Sequence, residues 1–333
     1  MTAETRDLER TRDALARLDR AASRVRCLDL VLYRSARIEA IRRGDGIPEH
    51  APGVPAADPT EQPPIAAVLR GEEWLAGGRP GGWSGLVCDL HWELMQGREP
   101  TPGALRTGPS WEGGSDPAHA RHRYPEARDV PRLLAAVDRS LCAERDPLLL
   151  TADALARFAL LHPFRNGNGR VAQALVAVVL RERGLLSRPC LLLWAVLDPR
   201  RGYLTAIDRF QSGDGQPWVA FVLSAIERAA TDTAAACEAI GKRFEADERR
   251  LPGGGARRLL WRLAEGALPV RDIGRDREDG LRALREARIA RVVTGLFGEP
   301  IVFHAGLARI VAPEAGTRRA RSGRRRRLLS LPR

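Results

Sequence analysis

Leu8, Leu15, Leu18, Val25, Leu28 and Leu32 recur at helical spacing among charged residues, which predicts a helix over residues 5–43, stopped by Gly44 and Gly46. Residues 44–64, rich in Pro, Gly and Asp, read as a loop. A helical stretch follows from Leu86 to Met95, and residues 97–129 read mostly as loop because of Pro100, Pro102, Gly103, Gly113 and Gly114. An amphipathic helix starts near Pro131. Thr151 is the expected N-cap of the next, with Leu155, Phe158 and Leu161 on one face. A very apolar helix runs from Val171 to Arg183 and ends at Gly184, and further helices fall near 201–211 and 217–242. After the linker "LPGGG" come a short helix, a turn, a second amphipathic helix and an alternating stretch around a Gly-containing turn. That order predicts a winged helix-turn-helix.

The chain has 333 residues and a net charge of +12, enough for two or three domains. Lys242 is the only lysine, and the tail after Gly316 holds eight arginines and no acid. The charge is therefore mostly a property of the tail. Cys27, Cys88, Cys142, Cys190 and Cys237 are odd in number and lack metal-ligand spacing, so reduced, mostly buried thiols of a cytoplasmic protein are expected. The charged N-terminus has no apolar core for a signal peptide. The longest apolar run, Val171 to Leu180, is too short to span a bilayer, so no membrane partner is expected.

Between two apolar segments stands "LHPFRNGNGR", residues 161–170. Gly167 and Gly169 permit backbone conformations closed to other residues and close approach to a ligand. The loop feeds a helix N-terminus, whose free N–H groups and dipole favour an anion, and Arg170 adds a bidentate donor there. His162, at the other end of the loop, is placed to act as a general base in phosphoryl or nucleotidyl chemistry. Phe164, between polar neighbours, is the expected anchor to the core.

The stretch resembles the signature of Fic-domain proteins (filamentation induced by cAMP), His-Pro-Phe-x-Asp/Glu-Gly-Asn-Gly-Arg-x-x-Arg. The flanks "DLHWELMQGREPTPGALRTGPSWEGG", "DPLLLTADALARFALLHPF" and "RGLLSRPCLLLWAVLDPRRGYL" resemble the family too, and the likeness covers roughly residues 15–313. It implies a mainly α fold: a Fic helical body with a small flap hairpin, plus a C-terminal winged helix-turn-helix (α+β). The expected divisions are residues 1–45 with an inhibitory helix, a Fic domain at 80–245, the winged helix at 251–313 and a basic tail at 314–333.

The resemblance implies transfer of AMP from ATP to a Ser, Thr or Tyr hydroxyl of a protein target or of the chain itself. His162 would be the base, and Gly167, Asn168 and Gly169 the anion-binding loop. Arg170 would hold nucleotide phosphates, and Tyr203 would border the base or ribose. The segment with Arg121, Arg123 and Tyr124 falls where the family has its target-docking flap. "SARIEA" resembles the inhibitory helix, with Ser35 and Glu39 one turn apart and Glu39 reaching the active site.

Two positions depart from the family. Asn166 stands where the family's Asp or Glu binds Mg²⁺, and Gln173 where its second Arg meets phosphates and the inhibitory Glu. Neither carries charge, so weaker metal and triphosphate handling and a weaker brake are expected. Other readings stay open. They are a different nucleotide or phosphocholine-bearing donor, removal of AMP, or an inactive Fic body serving a DNA-binding regulator. DNA contact through the winged helix or basic tail, and a homodimer, are also left open. Of the winged-helix arginines, Arg277, Arg282, Arg285 and Arg288 are offset by Asp276, Glu278, Asp279 and Glu286.

Overall fold

The computed structural model describes residues 2–25, 63–143, 145–188, 202–265, 268–274, 278–294 and 300–311. Ser35 and Glu39, Arg277, the segment 189–201 and the basic tail lie outside them. The described residues are mainly helical.

The body is built around α6 (Asn168–Glu182), in which every residue from Val171 to Leu180 is buried. A helix apolar on all sides must be covered on all sides. Its cover is α2 (Pro63–Ala76), α3 (Gly82–Met95) and α5 (Pro147–Leu161). Between α3 and α5 lie a two-stranded ribbon, β1 (Trp111–Glu112) against β2 (His122–Arg123), and α4 (Val130–Leu141). Asp138 of α4 accepts from the amides of Trp83 and Ser84, so it caps α3 where Gly81 offers no side chain.

Two sequence expectations are corrected here. The expected helix over 5–43 ends, as α1 (Ala3–Ser23), at a cap on Arg24. Helix α5 begins one turn before Thr151: Asp146 is its N-cap, accepting from the amides of Leu148 and Leu149, and Pro147 takes the first turn. Thr151 is buried inside the helix and donates its hydroxyl to the Pro147 carbonyl at 2.7 Å. Helix α2 was not anticipated.

α7 (Tyr203–Gln211) leads into α8 (Gln216–Arg249), whose 34 residues extend roughly 50 Å. One end of α8 is pinned to α5 by buried Trp218, which donates to the Ala152 carbonyl at 2.7 Å. α1 packs along α8, with Leu15, Leu18, Ala21 and Ala22 buried in the seam. The far end of α8 meets the C-terminal unit: α9 (Gly255–Glu265), β3 (Leu268–Pro269), α10 (Glu278–Glu286), β4 (Ala290–Thr294), β5 (Pro300–His304) and α11 (Ala305–Val311). Its three strands order as β3-β5-β4, all antiparallel. Residues 295–299, between β4 and β5, are outside the described residues.

Of the cysteines described, Cys237 is buried, Cys88 half-buried and Cys142 exposed, so burial is less general than the sequence suggested. No described helix is long and apolar enough to cross a membrane.

Helix α2 packs closely on α6 at Gly71, where an added Cβ would lie 2.4 Å from Val178 Cγ2. A β-branched side chain in a helix has one favoured rotamer and yields little. Gly71→Ala is expected to cost about 1–3 kcal/mol from overpacking, outweighing the ~1 kcal/mol gain in helix propensity. In thermal melts the loss should shrink when Val178→Ala is added, giving a double variant more stable than the sum of the two single changes.

Candidate active site

His162 ends α5 in a left-handed conformation (φ 48, ψ 62), donating its amide to the Phe158 carbonyl at 3.1 Å. That geometry is unusual for a non-glycine residue, and more so before a proline, here Pro163. Such strain costs about 1–3 kcal/mol and persists only where surroundings impose it. Arg106 imposes it. Its guanidinium, on a residue only 6 % exposed, donates to the carbonyls of His162 (2.7 Å), Gly108 (3.0 Å), Pro125 (2.5 Å) and Leu161 (3.5 Å). The Arg106 amide donates to the Pro163 carbonyl at 2.9 Å. One buried cation thus ties the end of α5 to the segments on both sides of the β1–β2 ribbon.

The loop after His162 is closed from within. Phe164 is fully buried, as expected of an anchor. Its amide donates to Asn168 Oδ1 at 2.9 Å, and Asn168 Nδ2 donates back to its carbonyl at 2.8 Å. The Phe164 ring stacks on His91 of α3, centroids 3.9 Å apart and nearly parallel. His91 Nδ1 accepts from the Gly103 amide at 2.8 Å, which leaves Nε2 to donate to the Asn166 carbonyl at 3.1 Å. Burial lowers the His91 pKa, against weaker opposing effects from that carbonyl and from Glu99.

Of the two glycines, only Gly167 is left-handed (φ 76). A Cβ there would also lie 2.7 Å from Met95 Sδ. Gly169 has ordinary helical geometry, contrary to the sequence expectation, and the space above it is open, with nothing within 4 Å of an added Cβ. As first residues of α6, Asn168 and Gly169 have amides with no acceptor inside the helix. Asn168 therefore closes the loop with its side chain while its amide remains at the helix mouth. Arg170 Nη1 lies 3.2 Å from Met95 Sδ. Gln173 is buried on α6, and its Oε1 has no hydrogen-bond partner among the described residues.

The imidazole of His162 is covered by Tyr124, centroids 3.9 Å apart and 17° between planes. Tyr124 follows β2 and donates its hydroxyl to Glu112 of β1 at 2.9 Å. Burial pushes the Tyr124 hydroxyl up, and Glu112 adds to it. Burial also holds His162 down at about 4, with Arg106 and His122 acting the same way and the nearby Ala159 backbone opposing. The imidazole is therefore neutral near pH 7, so one of its ring nitrogens carries no proton and can accept one.

The remaining expected residues sit around this core. Arg121 pairs with Asp208 of α7 at 2.7 Å, and Arg123 folds onto the Pro117 carbonyl within its own ribbon. Tyr203 begins α7, packs edge-on against Trp218 and Phe221, and is pushed up to about 12 by burial, with Glu112 adding. Tyr203, Tyr124, His122 and Glu112 border a cavity of about 40 Å³, smaller than the roughly 300 Å³ or more of a typical ligand pocket. Arg106 and His91 were not anticipated as site residues, although "PGALR" and "LHWELM" stood out as segments.

Residues 84–180 match the Fic/DOC family model. The match begins in α3 and ends in α6, so it spans the ribbon, His162 and the glycine loop. The chain contains a Fic/DOC-family domain, a family generally of transferases that move nucleotidyl and related groups. Among solved structures, it is similar to a Fic family protein from Desulfovibrio desulfuricans G20, with 17% identity over 92% of this chain and 97% of that one, at a TM-score of 0.47. Fic-1 from C. elegans matches at 18% identity over 70% and 72% of the two chains, with a TM-score of 0.46. A Fic domain containing signaling protein from Bacteroides thetaiotaomicron VPI-5482 matches at 13% identity over 71% and 97%, with a TM-score of 0.48.

Arg106→Met keeps the apolar stem and removes every donor. Leaving buried carbonyls unsatisfied costs about 1–3 kcal/mol each, so urea melts should show a loss of at least ~3 kcal/mol, with Arg106→Lys intermediate. A second expectation concerns pH. His162 is held at about 4, below the ordinary 6.5, so the unfolded chain binds more protons between those values. Its contribution to stability is full above pH 6.5 and is lost as pH falls toward 4. The lowered His91 adds in the same direction. The midpoint of thermal unfolding should therefore drop over that window, and replacing His162 should flatten the drop.

Proposed function

We propose that the chain is a protein adenylyltransferase that moves AMP from ATP to a Ser, Thr or Tyr hydroxyl of a protein target or of itself. What chiefly supports this is the neutral His162, poised at one end of a loop whose other end presents the α6 amides. The free ring nitrogen takes the proton of the hydroxyl as its oxygen attacks the α-phosphorus. The bond from that phosphorus to the bridging oxygen breaks, pyrophosphate leaves, and AMP remains as a phosphodiester. The amides of Asn168 and Gly169, with the Arg170 guanidinium, stabilise charge on the phosphates. Tyr124, Arg121 and Arg123 form the flap against which the target segment lies.

The protein brings little to a metal. Among the described residues no group of three or more His, Cys, Asp or Glu side chains could hold one. Asn166 Oδ1 is neutral and already accepts from the Gly167 amide at 2.8 Å. This donor set does not make a site for Mg²⁺. Gln173, without charge, weakens both triphosphate handling and the grip of Glu39, the proposed brake beside Ser35. A DNA-reading role for the C-terminal unit has less support. The exposed start of α10 carries Glu278 and Asp279, where a reading helix presents donors to bases.

Labelling with α-labelled ATP, alone and with cell lysate, tests the reading. Covalent label should fall by about 100-fold or more in His162→Ala, the scale of a lost general base, and rise only modestly in Glu39→Gly. Absence of His162-dependent label with ATP, CTP, GTP and UTP alike would contradict nucleotidyl transfer.

A further inference from the structure

Away from His162, a cleft of about 660 Å³ opens where the far end of α8 meets the C-terminal unit. Arg243 of α8, Arg285 of α10, Arg288 of the following turn and Arg291 of β4 all line it. Four guanidinium groups from four places around one concavity repel one another unless something negative lies between them. The carboxylate on hand is Asp247, which is 1 % exposed and already used: it accepts from Arg243 at 2.5 Å and from Arg250 at 3.0 Å. His304 Nε2 is also near it, at 3.3 Å, but too misaligned to hydrogen bond. Among the described residues, no carboxylate pairs with Arg285, Arg288 or Arg291.

The backbone is shaped to this gathering. Arg288 is left-handed (φ 57), which places it past the end of α10 rather than along its axis. Gly306 of α11 lets Arg243 lie flat on the helix, since a Cβ there would sit 2.5 Å from Arg243 Nε. The C-terminal dipole of α10 favours a cation beside it, but it does not account for cations converging from α8 and β4 as well.

We propose that this cleft binds a compact oligophosphate, a ligand carrying two or more adjacent phosphate groups. Guanidinium forks match phosphate oxygens two at a time, and the volume falls within the range of small-ligand pockets. A nucleic-acid duplex fits less well. The neighbouring face of α10 exposes Glu278, Asp279 and Glu286, and Arg282 there is tied to Asp279. The site is separate from the transfer reaction and stands whether or not that reaction is AMP transfer.

The test uses the full chain carrying Arg170→Ala, so that binding at the α6 loop is suppressed, and inorganic tripolyphosphate as the calorimetric probe. Adding Arg285→Ala and Arg291→Ala, both at exposed positions, should weaken binding by about tenfold or more, two charge-assisted contacts being lost. Orthophosphate at equal ionic strength should bind far more weakly than tripolyphosphate. The arginine-rich tail is present in every variant and contributes equally. Equal tripolyphosphate binding with and without Arg285 and Arg291 would overturn the proposal. So would equal affinity for orthophosphate, or dependence on these arginines seen only with a DNA duplex.

Discussion

The site depends on one buried guanidinium. Arg106 takes up carbonyls from both sides of the β1–β2 ribbon and from the end of α5, and one of these is the carbonyl of His162 itself. A left-handed residue before a proline would relax if left alone. Fixing its carbonyl fixes the direction in which its side chain leaves the helix, and ties that direction to the ribbon bearing Tyr124. The imidazole is therefore held and covered by the same contact. The cost is a cation away from water, offset because its donors find carbonyl acceptors.

The other end of the loop is settled by different means. His91 stacks under Phe164 and bonds the Asn166 carbonyl, while Asn168 bonds Phe164 in both directions. These contacts hold the turn so that Gly167 can open α6 against Met95 in a left-handed conformation that a side chain would strain. His162 and the first amides of α6 are thus fixed independently, one through Arg106 and one through His91. The proposed transfer, which would move a proton at one end and phosphate charge at the other, needs both ends fixed in advance.

How much of this could be read beforehand follows from the reach of each signal. The His-Pro-Phe loop and its glycines stand out because such residues are costly between apolar helices, and the apolar run of α6 announces its burial. Helix α5 starts before the expected cap at Thr151 because Asp146 with Pro147 is the stronger start signal. Helix α2 was hidden by its prolines and by Gly71, which serves close packing against Val178 rather than a turn. The role of Arg106 had no local signature. Its partners lie 2 to 56 residues away and are backbone carbonyls, whose identity no side chain encodes. The cleft beside α8 is likewise a product of tertiary arrangement, since Arg243 and Arg291 are far apart in a chain full of arginine.

The protein keeps His162 as a neutral imidazole covered by Tyr124 and able to accept a proton. Titration of the full chain carrying ¹³C-labelled histidine, followed by NMR with His162→Gln to assign the resonance, measures that property without any substrate. The account predicts a His162 midpoint near 4. A midpoint near the ordinary 6.5 would contradict it, because the ring would then be open to water and the clamp at Arg106 would not be imposing the geometry described.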